Sequence, residues 1–384
     1  MKRLSLIFSV MLVAIMVFSG YQCSSTELTS AKLYIQQKNL DKALDALKKE
    51  VEKNPKSDEG YYLMGYVYSE KEETDNMMKA YNSSLSISKK FEKDIEASKR
   101  SYWANFFNRG VGLFNRAVSS ANEDSSKMYF DRSIFAFEQA VVAEPDSPDT
   151  YKNIAFVYMN LQKLDEAIPP LKKLIELEKS VDGYKFLGEI YYNKGQLLQS
   201  NGTHSDSVEA KKLFASALEV LEEGRKLYPE DGDILLFLSN SYIAADKIDV
   251  AIDAFKTGVE KDPQNKFYRY NYGVLLLGAN EYQKSTDQFK AALEIDPDYE
   301  NAIYNMAVAY VKWGAILGKE ADDKGVESDE SKAKYREALP YLEKYVGIKT
   351  DDIAVWELLG KVYSVLGMID DAQKAFDKAD ALRK

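Results

Sequence analysis

The chain has 384 residues, 45% of them hydrophobic and 29% charged, with a formal net charge of −10. That length supports a substantial buried core, while the acidic balance opposes nucleic-acid phosphates and excludes nucleic acid as a main partner. One cysteine and one histidine rule out a disulfide framework and leave a zinc centre or Ser-His-Asp triad without its remaining groups.

In chain order, the first predicted element is Lys2 and Arg3 followed by an uncharged run from Leu4 to Gly20. A basic start before a short apolar stretch reads as an export signal, and its length is marginal for a spanning helix. Cys23 comes directly after, before Ser24 and Ser25. The placement resembles that of the lipidated cysteine of bacterial lipoproteins, although Gly20 and Gln22 differ from the aliphatic and small residues preferred there. Residues 1–23 are therefore set apart as signal or anchor, with lipidation at Cys23, cleavage elsewhere and retention all open. The reading places the protein in the periplasm or cell envelope, in contact with a membrane only through this segment.

From 24 to 384 one amphipathic two-helix pattern recurs, and we count nine units. Ala31, Tyr34, Ala43, Leu47 and Pro55 mark the first, and Tyr61, Met64, Gly65, Tyr68, Met77, Tyr81 and Ser84 the second. Tyr151, Ile154, Ala155, Tyr158, Ala167, Leu171 and Leu174 carry the fourth, and Leu238, Tyr242, Ala251, Phe255 and Gly258 the sixth. The seventh has Tyr272, Gly273, Leu276, Ser285, Phe289 and Ala292, and the last has Trp356, Leu359, Gly360, Tyr363, Ala372, Phe376 and Ala379. Spacings of three and four put each set on one helical stripe. Pro229, Pro263 and Pro297 close successive units at intervals of 34, a period that signals a helical solenoid.

Units three, five and eight are longer, spanning about 99–145, 182–229 and 300–350. Tyr191 to Ala217 and Tyr310 to Ala338 are 26 and 28 positions apart, against 9 from Tyr242 to Ala251, and Phe106 to Ser133 is 27. The three share an aromatic, a glycine and a leucine: Phe106-Gly110-Leu113, Tyr191-Gly195-Leu198 and Tyr310-Gly314-Leu317. Polar tips follow at Asn122–Ser126, Asn201–Ser207 and Asp322–Asp329, with Asp124, Ser207 and Ser328 as candidate N-caps of the returning helices. His204, the single histidine, falls in the second tip and reads as a solvated loop residue.

These residues resemble the tetratricopeptide repeat family. The resemblance implies an all-α, right-handed superhelical solenoid without catalytic residues, metal or cofactor, which binds protein or peptide partners. No stretch from 24 onward is left over for a catalytic domain, and no Walker loop, dinucleotide fingerprint or nucleophile elbow occurs. The family's first helices line a concave groove. Carried over by position, its lining is Tyr62 and Tyr66; Lys152, Asn153 and Phe156; Lys185, Glu189 and Tyr192; Asn240; Tyr270, Asn271 and Val274; and Tyr304, Asn305 and Val308. Asn153, Asn271 and Asn305 share the offset at which the family uses an amide to hold a bound backbone, and an amide can both donate and accept. The same asparagines could instead bond nearby backbone, and the tyrosines could serve packing. A carboxylate clamp of the kind that grips chaperone tails is not expected, because Lys152 is followed one turn later by Phe156 and Lys185 by Glu189. Stacking of the repeats with copies of themselves is the second expectation, giving a self-associating structural element of an envelope assembly. The polar outer face of the last helix, from Asp377 to Lys384, argues mildly for a capped end instead.

Overall fold

The computed structural model describes residues 25–383. The expected signal segment, with Cys23, lies outside the described residues. Among those described there are eighteen α-helices and no strand. In order they are α1 (Thr26–Gln36), α2 (Leu40–Lys53), α3 (Asp58–Glu70), α4 (Thr74–Ile87), α5 (Glu92–Val118), α6 (Glu123–Ala143), α7 (Pro148–Asn160) and α8 (Leu164–Glu178). There follow α9 (Val181–Asn201), α10 (His204–Leu227), α11 (Gly232–Ala244), α12 (Ile248–Lys261), α13 (Lys266–Gly278) and α14 (Tyr282–Ile295), then α15 (Glu300–Asp322), α16 (Asp329–Ile348), α17 (Ile353–Val365) and α18 (Ile369–Leu382). They read as nine consecutive hairpins, and the chain divides into two compact bodies between Pro170 and Leu171.

The short hairpins turn in one way. Lys38, Glu72, Gln162, Asp246, Asn280 and Gly367 all have positive φ, from 56° to 76°. The next residue's N–H returns to a carbonyl in the last turn of the first helix, as Glu73 does to Tyr68 O and Lys247 to Tyr242 O, both at 2.9 Å. This left-handed residue satisfies carbonyls that the helix end leaves open. Only Gly367 adopts it without a Cβ cost.

Several hairpins close on a glycine facing a large side chain. In the first body, a Cβ built on Gly65 would lie 2.3 Å from the ring of Tyr81, which is fully buried. In the second body, Gly188 meets Leu221 and Gly273 meets Phe289 at 2.4 and 2.7 Å in the same sense. The serine facing Gly273 adds a hydrogen bond, with Ser285 Oγ donating to the Gly273 carbonyl at 2.8 Å. The second body's repeats are also stitched to one another: Tyr242 donates to Glu222 and Tyr363 to Glu343, at 2.7 and 2.8 Å.

The long hairpins share an extra crossing, at Gly195 and Gly314 in the second body and at the buried Ala117 in the first, where Ser126 Oγ donates to the Ala117 carbonyl at 2.8 Å as Ser331 Oγ does to that of Gly314. In the second body Gly195 meets Phe214 and Gly314 meets Tyr335. In the first body Gly110 instead meets Phe137 at 2.6 Å, and Ser133 Oγ donates to the Gly110 carbonyl at 2.8 Å. Those are the contacts of Gly273 with Phe289 and Ser285, so Gly110 is the ordinary crossing residue of its repeat. Besides the crossing at Ala117, α5 is also extended before Gly110, where Ile95 and Tyr102 are buried. There Tyr62 stacks on Phe91 at 4.7 Å, and the Tyr81 and Ser98 hydroxyls are 2.5 Å apart.

Two expected caps are corrected. α6 is capped by Asn122, whose side chain accepts from Ser125 N at 2.8 Å, and Asp124 sits in the first turn. α10 is capped by Thr203, accepting from Asp206 N at 3.1 Å, which places Ser207 inside the helix and makes His204 its first residue. Ser328 caps α16 as expected, accepting from Ser331 N at 3.0 Å. The register of the first body's long hairpin can be tested directly. Gly110→Leu should destabilise the protein by about 1–3 kcal/mol through overpacking, whereas Gly112→Leu, inside the helix at a position with nothing within 4 Å, should leave the urea midpoint unchanged or slightly raised through its better helix propensity.

Candidate functional site

The residues expected to line a groove lie on the first helices of their hairpins, and each body is taken by itself. In the first body Tyr62 and Tyr66 are half-buried on α3. Burial raises both phenols above their ordinary range, helped by Asp94 at Tyr62 and by Glu70 at Tyr66. On α7 the Lys152 ammonium lies 5.7 Å from the centre of the Phe156 ring, a cation–π pair. Asn153 Nδ2 donates to Asp149 O at 2.8 Å.

The second body corrects the amide reading. Asn271 and Asn305 turn their Nδ2 groups onto the carbonyls four residues back, Phe267 and Asn301, at 2.9 and 3.1 Å, just as Asn153 does. Asn271 is fully buried, and its Oδ1 accepts from Ser239 Oγ at 2.9 Å. Asn305 Nδ2 also donates to Tyr270 OH at 2.9 Å. Tyr270 is 5% exposed and packs against Phe289 and Tyr299. Tyr270 and Asn271 are thus parts of a polar lace joining α11, α13 and α15, not an open lining, because the neighbouring helix reaches them first.

What remains accessible has a definite order. At the α9–α11 end, Lys185 stands 3.7 Å from Asp182 and 3.5 Å from Asp233, and 4.8 Å over the Phe186 ring. Glu189 is half-buried beside them. Burial first, then the Asp233 charge, raises its carboxyl above the ordinary range, against the pull of Lys185 and of the bond with Asn193. Tyr192 packs between Phe214 and Phe237, each 6.1 Å away. Asn240 on α11 is half-buried. Towards α15 the face turns apolar, with Leu236, Val274 and Val308 partly buried against the core, and Tyr304 5.1 Å from Tyr345.

One cluster escaped sequence reasoning. Lys266 pairs with Asp296 at 2.6 Å and lies 5.2 and 5.1 Å over the rings of Phe267 and Tyr299. The Lys266 hydrogen bond holds the Asp296 carboxyl below the usual range, and burial pushes the Tyr299 phenol up to about 12. Asp296 and Tyr299 flank Pro297 in a link between repeats, so no helical stripe includes them. Among the described residues, no three metal-ligating side chains gather. The face offers charge, aromatic edges and aliphatic area, which serve recognition.

Comparison with known proteins adds the following. Models described as tetratricopeptide repeat match residues 58–91, 148–180, 204–266 and 238–300. The Protein O-mannosyl-transferase TMTC3 of Homo sapiens is 24% identical over 196 residues, covering 49% of this chain and 20% of that protein. The Peroxisomal targeting signal receptor of Saccharomyces cerevisiae is 23% identical over 220 residues, covering 50% of this chain and 36% of that protein. The match thus spans only about a fifth to a third of these relatives. Among solved structures, the C-terminal part of a TPR repeat-containing protein from Cytophaga hutchinsonii is 17% identical with a TM-score of 0.44, covering 72% of this chain and 95% of that one. YrrB, described as a TPR protein with an unusual peptide-binding site, is 22% identical with a TM-score of 0.33, covering 57% and 95%.

Glu189 provides a pH test of the charged end. Its raised folded-state pKa means that the ionised form is disfavoured by folding, so stability falls as pH rises from the unfolded carboxylate pKa through the raised one. Glu189→Gln should therefore raise the melting temperature at pH 7, and the gain should vanish below about pH 4. A gain that persists in acid would contradict the assignment.

Proposed function

This chain is a tetratricopeptide repeat protein, and we propose that it is a non-catalytic scaffold that binds an extended segment of a protein partner along the first helices of its second body. One observation carries the proposal. After the internal lace is accounted for, the first helices still present the Lys185 charge group and the half-buried Asn240, Leu236, Val274, Val308 and Tyr304. At one end Lys185 pairs with Asp182 and Asp233 beside the half-buried Glu189, so the partner segment carries polar residues there and apolar residues beyond them. Tetratricopeptide repeat proteins generally mediate protein–protein interaction, and the yeast relative, named as a receptor for a targeting signal, supports recognition. The transferase name of the human relative belongs to a protein of which the match covers 20%.

We further propose export to the periplasm or cell envelope, with tethering through the N-terminal segment. Lys2, Arg3, the uncharged run to Gly20 and Cys23 support that reading. A diacylated or triacylated Cys23 would anchor stably where a single chain would not.

Two outcomes are expected. A photo-crosslinker at Asn240, used in the native cell, should capture a discrete partner, and Val308→Asp should reduce that product at least tenfold. An unchanged product, or a purified protein that turns over a substrate, would remove the scaffold reading. Cys23→Ala should move the protein from the membrane fraction to the soluble one, and unchanged fractionation would remove the lipid tether while leaving the groove untouched.

A further inference from the structure

The outer face of α6 carries a second pattern, unrelated to the groove. Met128, Phe135 and Val142 recur every seven residues and are 40, 58 and 39% exposed. Asp124, Asp131 and Glu138 recur at the same interval between them, all three exposed. Together they occupy the alternating core positions of a heptad, spaced four and three, over about 27 Å of helix at 1.5 Å per residue. Glu138 acts at a distance on the phenol of Tyr158, but none of the three carboxylates has an ion-pair partner among the described residues.

The repeat does not demand this stripe. Counted from the small residue at the hairpin crossing, Ser133, Ala217 or Ala338, each long second helix runs ten residues further, to Ala143, Leu227 and Ile348. In that common register Met128, Phe135 and Val142 correspond to Lys212, Glu219 and Lys226 on α10, and to Ala333, Pro340 and Gly347 on α16. Large apolar side chains stand on this line only in the first body's long hairpin. An exposed phenylalanine between two further apolar residues costs solubility unless something covers it.

We propose that this face docks an amphipathic helix of a partner protein, one whose own heptad alternates apolar residues with lysine or arginine. The apolar row would pack between the partner's apolar side chains, and the carboxylate row would meet its cations. A second copy of the chain fits poorly. Parallel pairing of two such faces sets carboxylates against carboxylates, and antiparallel pairing sets them against the apolar row. The required partner is therefore opposite in charge and similar in apolar spacing.

The test uses the full chain and a synthetic helical peptide of three heptads with leucine and lysine alternating at the core positions, followed by fluorescence anisotropy. The peptide should bind, a matched peptide with glutamate in place of lysine should bind at least tenfold more weakly, and Phe135→Asp should cost at least tenfold. Asp131→Lys combined with Glu138→Lys should reverse the preference to the glutamate peptide. Val308→Asp, in the proposed groove, should leave this binding unchanged, so the two surfaces fail or succeed separately. All substituted side chains on α6 are exposed, and circular dichroism should confirm an intact fold. No peptide binding up to millimolar concentration, equal binding by Phe135→Asp, equal affinity for both peptides, or dimerisation of the chain through this face in ultracentrifugation would each overturn the proposal.

Discussion

The closest approach between the two helices of a hairpin governs this molecule. Where Gly65, Gly110, Gly273 or Gly360 withholds a side chain, an aromatic ring of the partner helix fills the space, at distances that no Cβ would tolerate. The interaction is short-ranged and unforgiving, because packed interiors do not yield by a methyl group without strain. It also sets the register of every hairpin, since the ring and the gap must coincide. Changes of length are therefore absorbed away from the crossing, in turns and helix ends. That is where they occur here, on both sides of the crossing in α5 and beyond it in α9 and α15.

This constraint explains what could be read from the chain and what could not. The period of 34, the pairing of helices and the small residues at the crossings all leave regular marks along one dimension. Gly110 was harder. Its spacing to Phe106 and Leu113 equals that of Gly195 to Tyr191 and Leu198, and only the opposing helix decides that Phe137 rather than Phe130 faces it. The caps show the same limit: Asn122 and Asp124 are both good capping residues, and the choice falls on the one at which the helix begins. Of the site, the placement of Lys185, Glu189 and Tyr192 on one helix was legible, while the pairing of Lys185 with Asp233 from another helix was not. The burial of Asn271 was not, because it depends on Ser239 from another helix, and the Lys266–Asp296 cluster has no periodic signature.

The three long hairpins show how a repeat acquires individuality. The inner half of each second helix keeps the common packing, with Phe137, Leu221 and Leu342 all fully buried. The outer half is released from that duty, and there the three sequences diverge into an apolar and acidic heptad, a charged line, and a line of small residues with a proline. Variation of this kind alters what a surface touches without disturbing what lies beneath it.

The hydrogen bonds from Ser239 to Asn271 and from Asn305 to Tyr270 carry a consequence beyond stability. They tie three successive first helices together through short polar groups, and so oppose sliding of one helix past the next. The partner proposed for those helices meets polar groups already held in place. It then forfeits less disorder on association than it would against a pliant surface, and weak individual contacts can sum to useful affinity.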